Sequence, residues 1–476
     1  MFSYKNNLII IGLVFLLLQS CVPTRNVREV KTQLPESYQL EQGDTITSAH
    51  KKWNDFFTDP QLHTLIEQAL ANNQELNIML QQIAVSQNEI QARKGEYLPF
   101  VNLRAGAEVE KVGEFTRNGA VEENLNIREG DAFPDPLTNY QVGLFASWEL
   151  DVWKKLRNSK KAAVMEYLAT VEGKNFMVTN LVAEIAGSYY ELLALDYELK
   201  IINQNLEIQG ASLEIVKIQK QAARATELAV KRFEAEVYKN RSERYDIKQQ
   251  IVEVENKINF LIGQQPTVVM RSNQDFIEIE IDSVSKGIPA QLLQYRPDIR
   301  QAELELAAAK LNVQVARANF YPSFGIRSGV GLEAFQPKFL TSTPSSLLYS
   351  LAGDVVSPLI NRNAIKAAYH TANDRQLQAV FEYEKTILNA YIEVANKLSA
   401  IENLKKSYDL KIEQVKSLNE SIDISNKLFQ SARADYMEVL LTQRDALNAK
   451  TELVETRKNQ LLTRVGIYKA LGGGWN

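Results

Sequence analysis

The chain has 476 residues, enough for two or three ordinary domains, and a net charge of −4, which excludes the strongly basic surface of a typical nucleic-acid-binding protein. Its only cysteine, Cys21, excludes an intrachain disulfide, and its three histidines lack the spacing of metal ligands. The sequence contains neither a phosphate-binding loop nor a nucleophile elbow. We therefore expect no enzyme activity, no metal and no cofactor other than a covalent lipid on Cys21.

The first twenty residues have the pattern of a bacterial signal peptide. Lys5 supplies a positive charge, and the apolar run of residues 8–18 is too short to span a bilayer. Leu18-Gln19-Ser20-Cys21 resembles a lipobox, which predicts cleavage after residue 20 and stable anchoring through acyl chains on Cys21. Residues 21–58 would then form a lipidated tether. Ordinary secretion with a chance cysteine is the alternative.

Helical spacing begins next and then gives way to alternation. Asp59 is predicted as an N-cap with Pro60 at the first helical position, and Pro99 ends the helical pattern. Apolar and polar residues then alternate, with Phe145 as an exception, and the same alternation follows Pro322. The predicted strands lie at about residues 100–110, 138–149, 323–333 and 347–356.

Strands about ten residues long with one apolar and one polar face are typical of a transmembrane β-barrel with a wet lumen. A half-buried hairpin of a globular protein would show the same periodicity. The polar residues 110–136 predict a long exposed loop between the first two strands.

Two long helical hairpins follow the strand pairs. Apolar residues from Leu195 onward recur at steps of three and four, which indicates a coiled-coil seam with a polar break at Gln209. The first helix is predicted at about 152–223, on the order of 100 Å long, with a return helix at 227–262. The second is predicted at 364–429, with a return that ends near Leu471.

The two halves of the chain repeat one another. A shift of 209 residues carries Ala223-Arg224-Ala225 onto Ala432-Arg433-Ala434 and Ile262-Gly263 onto Leu471-Gly472. Pro99 and Pro322 are 223 residues apart, so the first copy has 14 extra residues, most of which we assign to its loop. The predicted divisions are a signal peptide (1–20), a lipidated tether (21–58), repeat 1 (59–263), an equatorial connection (264–296), repeat 2 (297–471) and a C-terminal tail (472–476).

Within the connection, the apolar residues from Phe276 to Ile281 could add a short strand.

The strand number requires more than one chain. Four strands cannot close a barrel, and an open sheet edge in lipid costs several kcal/mol for each unpaired backbone group. Single-chain barrels begin at about eight strands, and three copies of this chain would supply twelve. The predicted fold class is therefore mainly α with a transmembrane β part. Duplicated units of two strands and a long helical hairpin would form a trimeric 12-stranded β-barrel, continued by a periplasmic α-helical barrel.

Two motifs carry a family resemblance. Residues 295–303 (YRPDIRQAE) and 316–323 (ARANFYPS) closely resemble outer-membrane factors of the TolC family, in the branch of NodT-type lipoproteins. Residues 53–62 and 69–73 are similar to the opening motif of that branch. In Arg296-Pro297-Asp298, proline presets the first helical turn and aspartate favours the helix N-terminus, so we expect a structural role for this motif.

The resemblance implies a homotrimeric, lipid-anchored channel in the outer membrane of a Gram-negative bacterium that extends into the periplasm. Such a channel would dock on a periplasmic adaptor and an inner-membrane pump, usually of the resistance-nodulation-division class. Together they would expel drugs, metals or other small molecules.

The turns of the two helical hairpins would lie at the periplasmic tip, where the tube must close. Polar and charged residues there are candidates for interchain contacts of a gate or for contacts with the adaptor. The candidates are Arg224, Glu227, Arg433, Asp435, Tyr436, Glu438, Leu441 and Arg444. Solvated turn residues with no part in gating are the alternative for each of them.

The resemblance also implies an aspartate in the final helix, followed by an arginine three residues on. Arg444 matches the arginine, whereas Leu441 occupies the aspartate position. We therefore expect an apolar ring of Leu441 and an Arg444 side chain paired with a neighbouring acidic residue, or Glu438 in place of the missing carboxylate.

The sequence thus predicts a passive efflux conduit. The same fold could serve type I protein secretion with an ABC exporter, and a coiled-coil envelope scaffold without a pore is an alternative of another class. The lipobox and the Arg-Pro-Asp-Ile motif favour efflux, and the alternating strands argue against the scaffold.

Overall fold

The computed structural model describes residues 28, 30–31, 34–38, 47–281, 284–431 and 433–475. The predicted signal peptide and Cys21 lie outside the described residues, as does Ala432. In the part of the chain that is described, no helix combines the length and the apolar character needed to cross a membrane.

Helices form most of this structure. They are α1 (Trp53–Phe56), α2 (Pro60–Asn72), α3 (Gln74–Glu96), α4 (Arg117–Asn124), α5 (Lys155–Gln221), α6 (Glu227–Leu261), α7 (Leu292–Tyr295), α8 (Pro297–Ala318), α9 (Asn363–Gln430) and α10 (Tyr436–Ala470). An Asp59 carboxylate oxygen accepts hydrogen bonds from the backbone N–H groups of Gln61 (2.8 Å) and Leu62 (3.4 Å), which confirms the predicted N-cap.

Of the six strands in the described residues, four form one antiparallel sheet in the order β1-β4-β5-β6, and β2 and β3 form a separate hairpin. The strands are β1 (Phe100–Glu110), β2 (Asn126–Arg128), β3 (Asp131–Ala132), β4 (Leu137–Leu150), β5 (Ser323–Ala334) and β6 (Leu347–Val356). The four strands predicted from alternation are therefore confirmed. The predicted long loop after β1 is partly structured, because it contains α4 and the β2–β3 hairpin.

The register places most apolar residues of the four strands on one face. Leu103 pairs with Leu144, Leu144 with Val330, and Val330 with Tyr349. Every second residue along each strand shares this face. Leu103 and Tyr349 are 73 % and 79 % exposed, so the described chain leaves the apolar face of the sheet uncovered.

The opposite face is polar, and Phe145 on it has a packing role. A Cβ atom on Gly329 of the neighbouring strand would lie 2.8 Å from Cδ1 of Phe145, so the ring occupies the space above that glycine. The Arg104 guanidinium lies 5.3 Å from the centre of the same ring. An aromatic ring that covers a strand glycine supports the sheet where a side chain is missing, which explains the break in the alternation.

The chain divides into two compact units that differ from the two sequence repeats. One unit contains the four-stranded sheet, within Val85–Tyr167 and Leu304–Val380. The other contains Leu168–Glu303, residues 381–475 and the described residues between 30 and 84. Each unit takes residues from both repeats, so the repeat boundaries stay predictions from the sequence.

The duplication is visible at the helix ends. The helices α6 and α10 both have 35 residues. After α6, the N–H of Gln264 donates to the carbonyl oxygen of Asn259 (2.8 Å), and 209 residues later Gly473 donates to Tyr468 (3.0 Å). Both turns require a residue with positive φ, which is Gly263 in one and Gly472 in the other.

The connection between the repeats corrects one prediction. Residues Phe276–Glu278 form a 3₁₀ turn instead of part of a strand. The Asp275 carboxylate accepts a hydrogen bond from the N–H of Ile277 (3.1 Å), which favours the turn. The Phe276 ring is buried in the main apolar core of its unit, beside Tyr197.

Candidate gate and contact site at the helix turns

The two helix turns share one backbone hydrogen bond, which closes the end of the preceding helix. Ala223 has φ 55°, its N–H donates to Lys220 O (3.0 Å), and the N–H of Arg224 donates to Gln219 O (2.8 Å). This is a Schellman motif, which satisfies the last carbonyl groups of α5. In the second turn Arg433 donates to Leu428 O at the same distance.

The Arg224 and Arg433 side chains are exposed at the turns. No hydrogen bond or ion pair to another described residue restrains either guanidinium group.

An apolar cluster joins the two hairpins just behind the turns. Its buried residues are Val216, Ala229, Val230 and Phe233, and its partly buried residues include Phe429 and Tyr436. Tyr436, one of the predicted site residues, is therefore half-buried and supports the second turn through its ring.

The acidic candidates lie at the beginnings of the return helices. Glu227 forms an ion pair with Lys220 and lies 3.9 Å from Lys231. The hydrogen bond from Lys220 lowers the pKa of Glu227. Asp435 directly precedes α10, and its carbonyl oxygen accepts from the N–H of Glu438 (3.1 Å). Both carboxylates near α10 are exposed, where a helix N-terminus favours negative charge.

Leu441 and Arg444 lie one turn further along α10. The Leu441 side chain is 38 % exposed, so it is not part of the apolar cluster behind the turns. Arg444 lies 3.6 Å from the carboxylate of Asp445, and about half of each side chain is exposed. Adjacent helix residues face different directions, which makes this pair weak and leaves Arg444 accessible to an acidic group of another chain.

Sequence reasoning missed a buried polar layer above the turns. Asn240 Nδ2 donates to Gln209 Oε1 (2.7 Å), and Gln443 Nε2 donates to Ser212 Oγ (3.0 Å). Within the described chain Gln209 Nε2, Asn240 Oδ1 and Gln443 Oε1 are buried without a hydrogen-bond partner. The break at Gln209 in the seam was the signal that could have identified this layer.

In the described part of the chain, no three His, Cys, Asp or Glu side chains come together as a metal site. The candidate site is thus a set of exposed charges and one exposed leucine at the two helix turns. It can make contacts between chains or with a partner protein, but it has no arrangement of groups for covalent chemistry.

Most of the chain is similar to a known protein family. Residues 65–264 and 288–473 match the family model described as outer membrane efflux protein. The chain is 27 % identical to the pyoverdine export outer membrane protein OpmQ of Pseudomonas aeruginosa, over 97 % of this chain and 95 % of that protein. It is 24 % identical to SilC, a probable outer membrane lipoprotein of Salmonella typhimurium, over 99 % of each chain.

A crystal structure of CusC matches with a TM-score of 0.80 and 25 % identity, over 95 % of this chain and 100 % of the other. This match confirms the predicted fold class of a mainly helical chain with a β part. Because the family model covers both halves of the sequence, the chain belongs to the outer membrane efflux protein family.

Proposed function

We propose that the chain is the outer-membrane exit duct of a tripartite efflux system. As an outer membrane efflux protein it is a passive channel component and not an enzyme. The uncovered apolar face of the four-stranded sheet carries the proposal. It has the dyad pattern of a lipid-facing barrel wall, with polar residues on the other side for an aqueous lumen.

The sheet is complete only as part of an assembly. Its edge strands β1 and β6 each pair with one neighbour, and lipid offers no hydrogen-bond partners to their outer edges. If β6 of one protomer pairs with β1 of the next, three chains close a barrel of twelve strands. We therefore propose a homotrimer.

The helices support the same assembly through the duplication. Leu447 and Val454 on α10 are 7 % and 0 % exposed, and they share a core with Leu192 and Ile201 of α5. Subtracting 209 from Leu447 and Val454 gives Tyr238 and Tyr245 of α6, which are 65 % and 62 % exposed.

The helices that α10 and α6 would contact also differ in exposure: a residue buried in the first repeat has an exposed equivalent in the second. Adding 209 to Ile201 gives Leu410 of α9, which is 73 % exposed. The contact that α10 makes with α5 inside the chain is therefore available between α6 of one chain and α9 of the next. Such a contact between two different surfaces forms a ring when the rotation closes.

The remaining parts of the proposal concern the anchor, the partners and the cargo. Cleavage before Cys21 and lipidation would hold the mature chain on the outer membrane, and the name of SilC as a lipoprotein supports this. A periplasmic adaptor would contact the helix turns, and an inner-membrane pump of the resistance-nodulation-division class would deliver drugs, metals or other small molecules. OpmQ, named for pyoverdine export, supports efflux rather than protein secretion.

In this proposal the turn residues close the resting channel and receive the adaptor. Arg224, Arg433, Asp435 and Glu438 supply exposed charge for contacts between chains. Leu441 supplies an apolar ring that excludes water when three copies meet.

Single-channel recording of the purified protein in a planar bilayer, with its mass determined in detergent, tests the duct. We expect discrete conductance steps from a particle with the mass of three chains. A monomer without conductance would contradict the barrel and favour a scaffold without a pore.

A further inference from the structure

The start of α5 carries an unusual concentration of positive charge. Five of the eight residues 154–161 are Lys or Arg, and none is acidic. Cations at a helix N-terminus oppose the helix dipole, so local helix stability does not explain this run. Sequences that break a local rule without an evident structural gain often do so at functional sites.

Two of the five cations have carboxylate partners. Lys155 lies 2.5 Å from Glu149, a residue of the polar face of the sheet, and Arg157 lies 3.0 Å from Asp151. Lys154, Lys160 and Lys161 have no carboxylate within ion-pair distance among the described residues. The start of α5 therefore keeps a net positive charge beside the sheet.

The spacing of these cations separates them into two groups. At about 100° per residue, Arg157, Lys160 and Lys161 lie within an arc of about 100°, and Lys155 lies roughly opposite them. We call Lys154, Arg157, Lys160 and Lys161 the basic cluster. Lys154 and Lys161 are exposed, and the Arg157 side chain is 53 % exposed.

Contacts place this cluster next to the apolar face of the sheet. Lys160 Nζ lies 5.8 Å from the centre of the Tyr97 ring, and the carbonyl oxygen of Tyr97 accepts a hydrogen bond from Trp148 Nε1 (3.0 Å). Trp148 pairs with Ile326 on the apolar face. Trp153, which directly precedes the cluster, stacks on Tyr321 (4.6 Å between ring centres).

Aromatic residues with a polar group at the edge of an apolar band are typical of a membrane–water interface. Clustered Lys and Arg side chains beside such an edge attract anionic lipid headgroups. The second repeat provides a comparison, because Asn361 before its long helix has a positive φ (53°), as Lys154 has (59°). Only two of the residues 361–368 are cationic. The positive charge is therefore a property of the first repeat and not of the fold.

We propose that the basic cluster binds the phosphate groups of anionic phospholipids. These lipids would belong to the leaflet at the end of the sheet where β4 leads into α5. The site rests on the proposed barrel, because only a membrane-spanning sheet brings these residues to the headgroup layer. Binding is electrostatic, with the acyl chains lying along the apolar face.

The test uses the purified full-length protein in neutral detergent, and the thermal unfolding midpoint is measured by circular dichroism. Dioctanoyl phosphatidylglycerol should raise the midpoint, since a ligand that binds the native state stabilises it. Dioctanoyl phosphatidylcholine and inorganic phosphate at equal concentration should not. An equal rise with phosphatidylcholine would overturn the preference for anionic lipid, and a rise with phosphate alone would indicate a free-anion site.

The variant Lys154→Gln/Lys160→Gln/Lys161→Gln should bind phosphatidylglycerol about 100-fold more weakly. The control Lys405→Gln/Lys416→Gln/Lys427→Gln removes the same charge from exposed positions on α9 and should bind like the wild type. Wild-type affinity in the first variant, or an equal loss in the control, contradicts the proposal.

Salt provides a test that needs no variant. Raising the ionic strength should abolish the wild-type response to phosphatidylglycerol, because an exposed electrostatic site is screened; a response that salt leaves unchanged contradicts the proposal. Wild-type conductance separates the two hypotheses. If the wild-type protein conducts but shows no preference for anionic lipid, only the proposed lipid site is wrong. If it does not conduct, the proposed duct is wrong.

Discussion

Arg296 Nη1 donates a hydrogen bond of 2.8 Å to the carbonyl oxygen of Ala470, the last residue of α10. Asn73 Nδ2 makes the same contact with the carbonyl oxygen of Leu261, the last residue of α6, at 2.9 Å. The donors are 223 residues apart and the acceptors 209, which are the two shifts found in the sequence. The Arg-Pro-Asp motif is therefore the second copy of a cap on the returning helix.

We expect Arg296→Met to lower stability by about 3–5 kcal/mol, the usual cost of removing one member of a buried ion pair. Arg296 is 6 % exposed and bonds both oxygens of Asp298 (3.0 and 2.7 Å) and Glu393 (2.9 Å). Denaturant unfolding of the protein in detergent measures the loss. Arg317→Met, at an exposed arginine of the second motif, should change stability by about 0.5 kcal/mol or less.

We expect Tyr245→Asp to dissociate the trimer. If Tyr245 lies in the contact between α6 and α9, each of three interfaces would bury an unpaired carboxylate, at a cost of several kcal/mol in practice. Mass measurement in detergent reports the assembly. Gln250→Asp places the same charge on an exposed position of the other flank of α6 and should leave the mass unchanged. If both variants keep the trimer, the proposed interface is wrong.

In the buried amide layer, we expect a single substitution to lower stability and a double substitution to preserve it. Asn240→Ala should destabilise the protein by about 1–3 kcal/mol, because Gln209 loses its partner in a buried site. Gln209→Leu/Asn240→Ala installs the pair that the second repeat has at Leu418 and Ala449. This double variant should be near wild-type stability or above it. Denaturant midpoints of the wild type, the two single variants and the double variant form a double-mutant cycle. Additive losses of stability would show that the two amides do not interact.

We expect Leu441→Gly to raise resting conductance in a planar bilayer, since the apolar ring would no longer exclude water. Glycine also costs about 1 kcal/mol in a helix, and Ile424→Gly, at an exposed position of α9, controls for that effect. The control should conduct like the wild type. Unchanged conductance in Leu441→Gly would remove the leucine from the gate.

Periodicity alone located most of the fold. The change from helical to alternating spacing after Pro99 and Pro322 identified four strands. The strands β1 and β6 have their predicted bounds, and β4 and β5 differ from theirs by no more than one residue at either end. The prediction was reliable there because each strand has one apolar and one polar face, which produces a regular alternation in the sequence. It was wrong at Phe276–Ile281, where the Asp275 side chain competes for the backbone and produces a turn.

The candidate site was harder to predict. The sequence identified the turns, because the Ala-Arg-Ala motif repeats there. It did not show that Tyr436 packs inward. This depends on which side of a helix faces its neighbour, and α10 is packed on several sides, so its apolar pattern does not identify the buried side.

The β2–β3 hairpin provides a position at which the orientation of the chain in the membrane can be tested. Its tip residue Gly130 has φ 82° and open space around the position of a Cβ atom, and it belongs to the connection between β1 and β4. Exposed loop tips of this kind tolerate short insertions. A peptide epitope placed there should be detected by antibody on intact cells, whereas an epitope between α5 and α6 should need a permeabilised envelope.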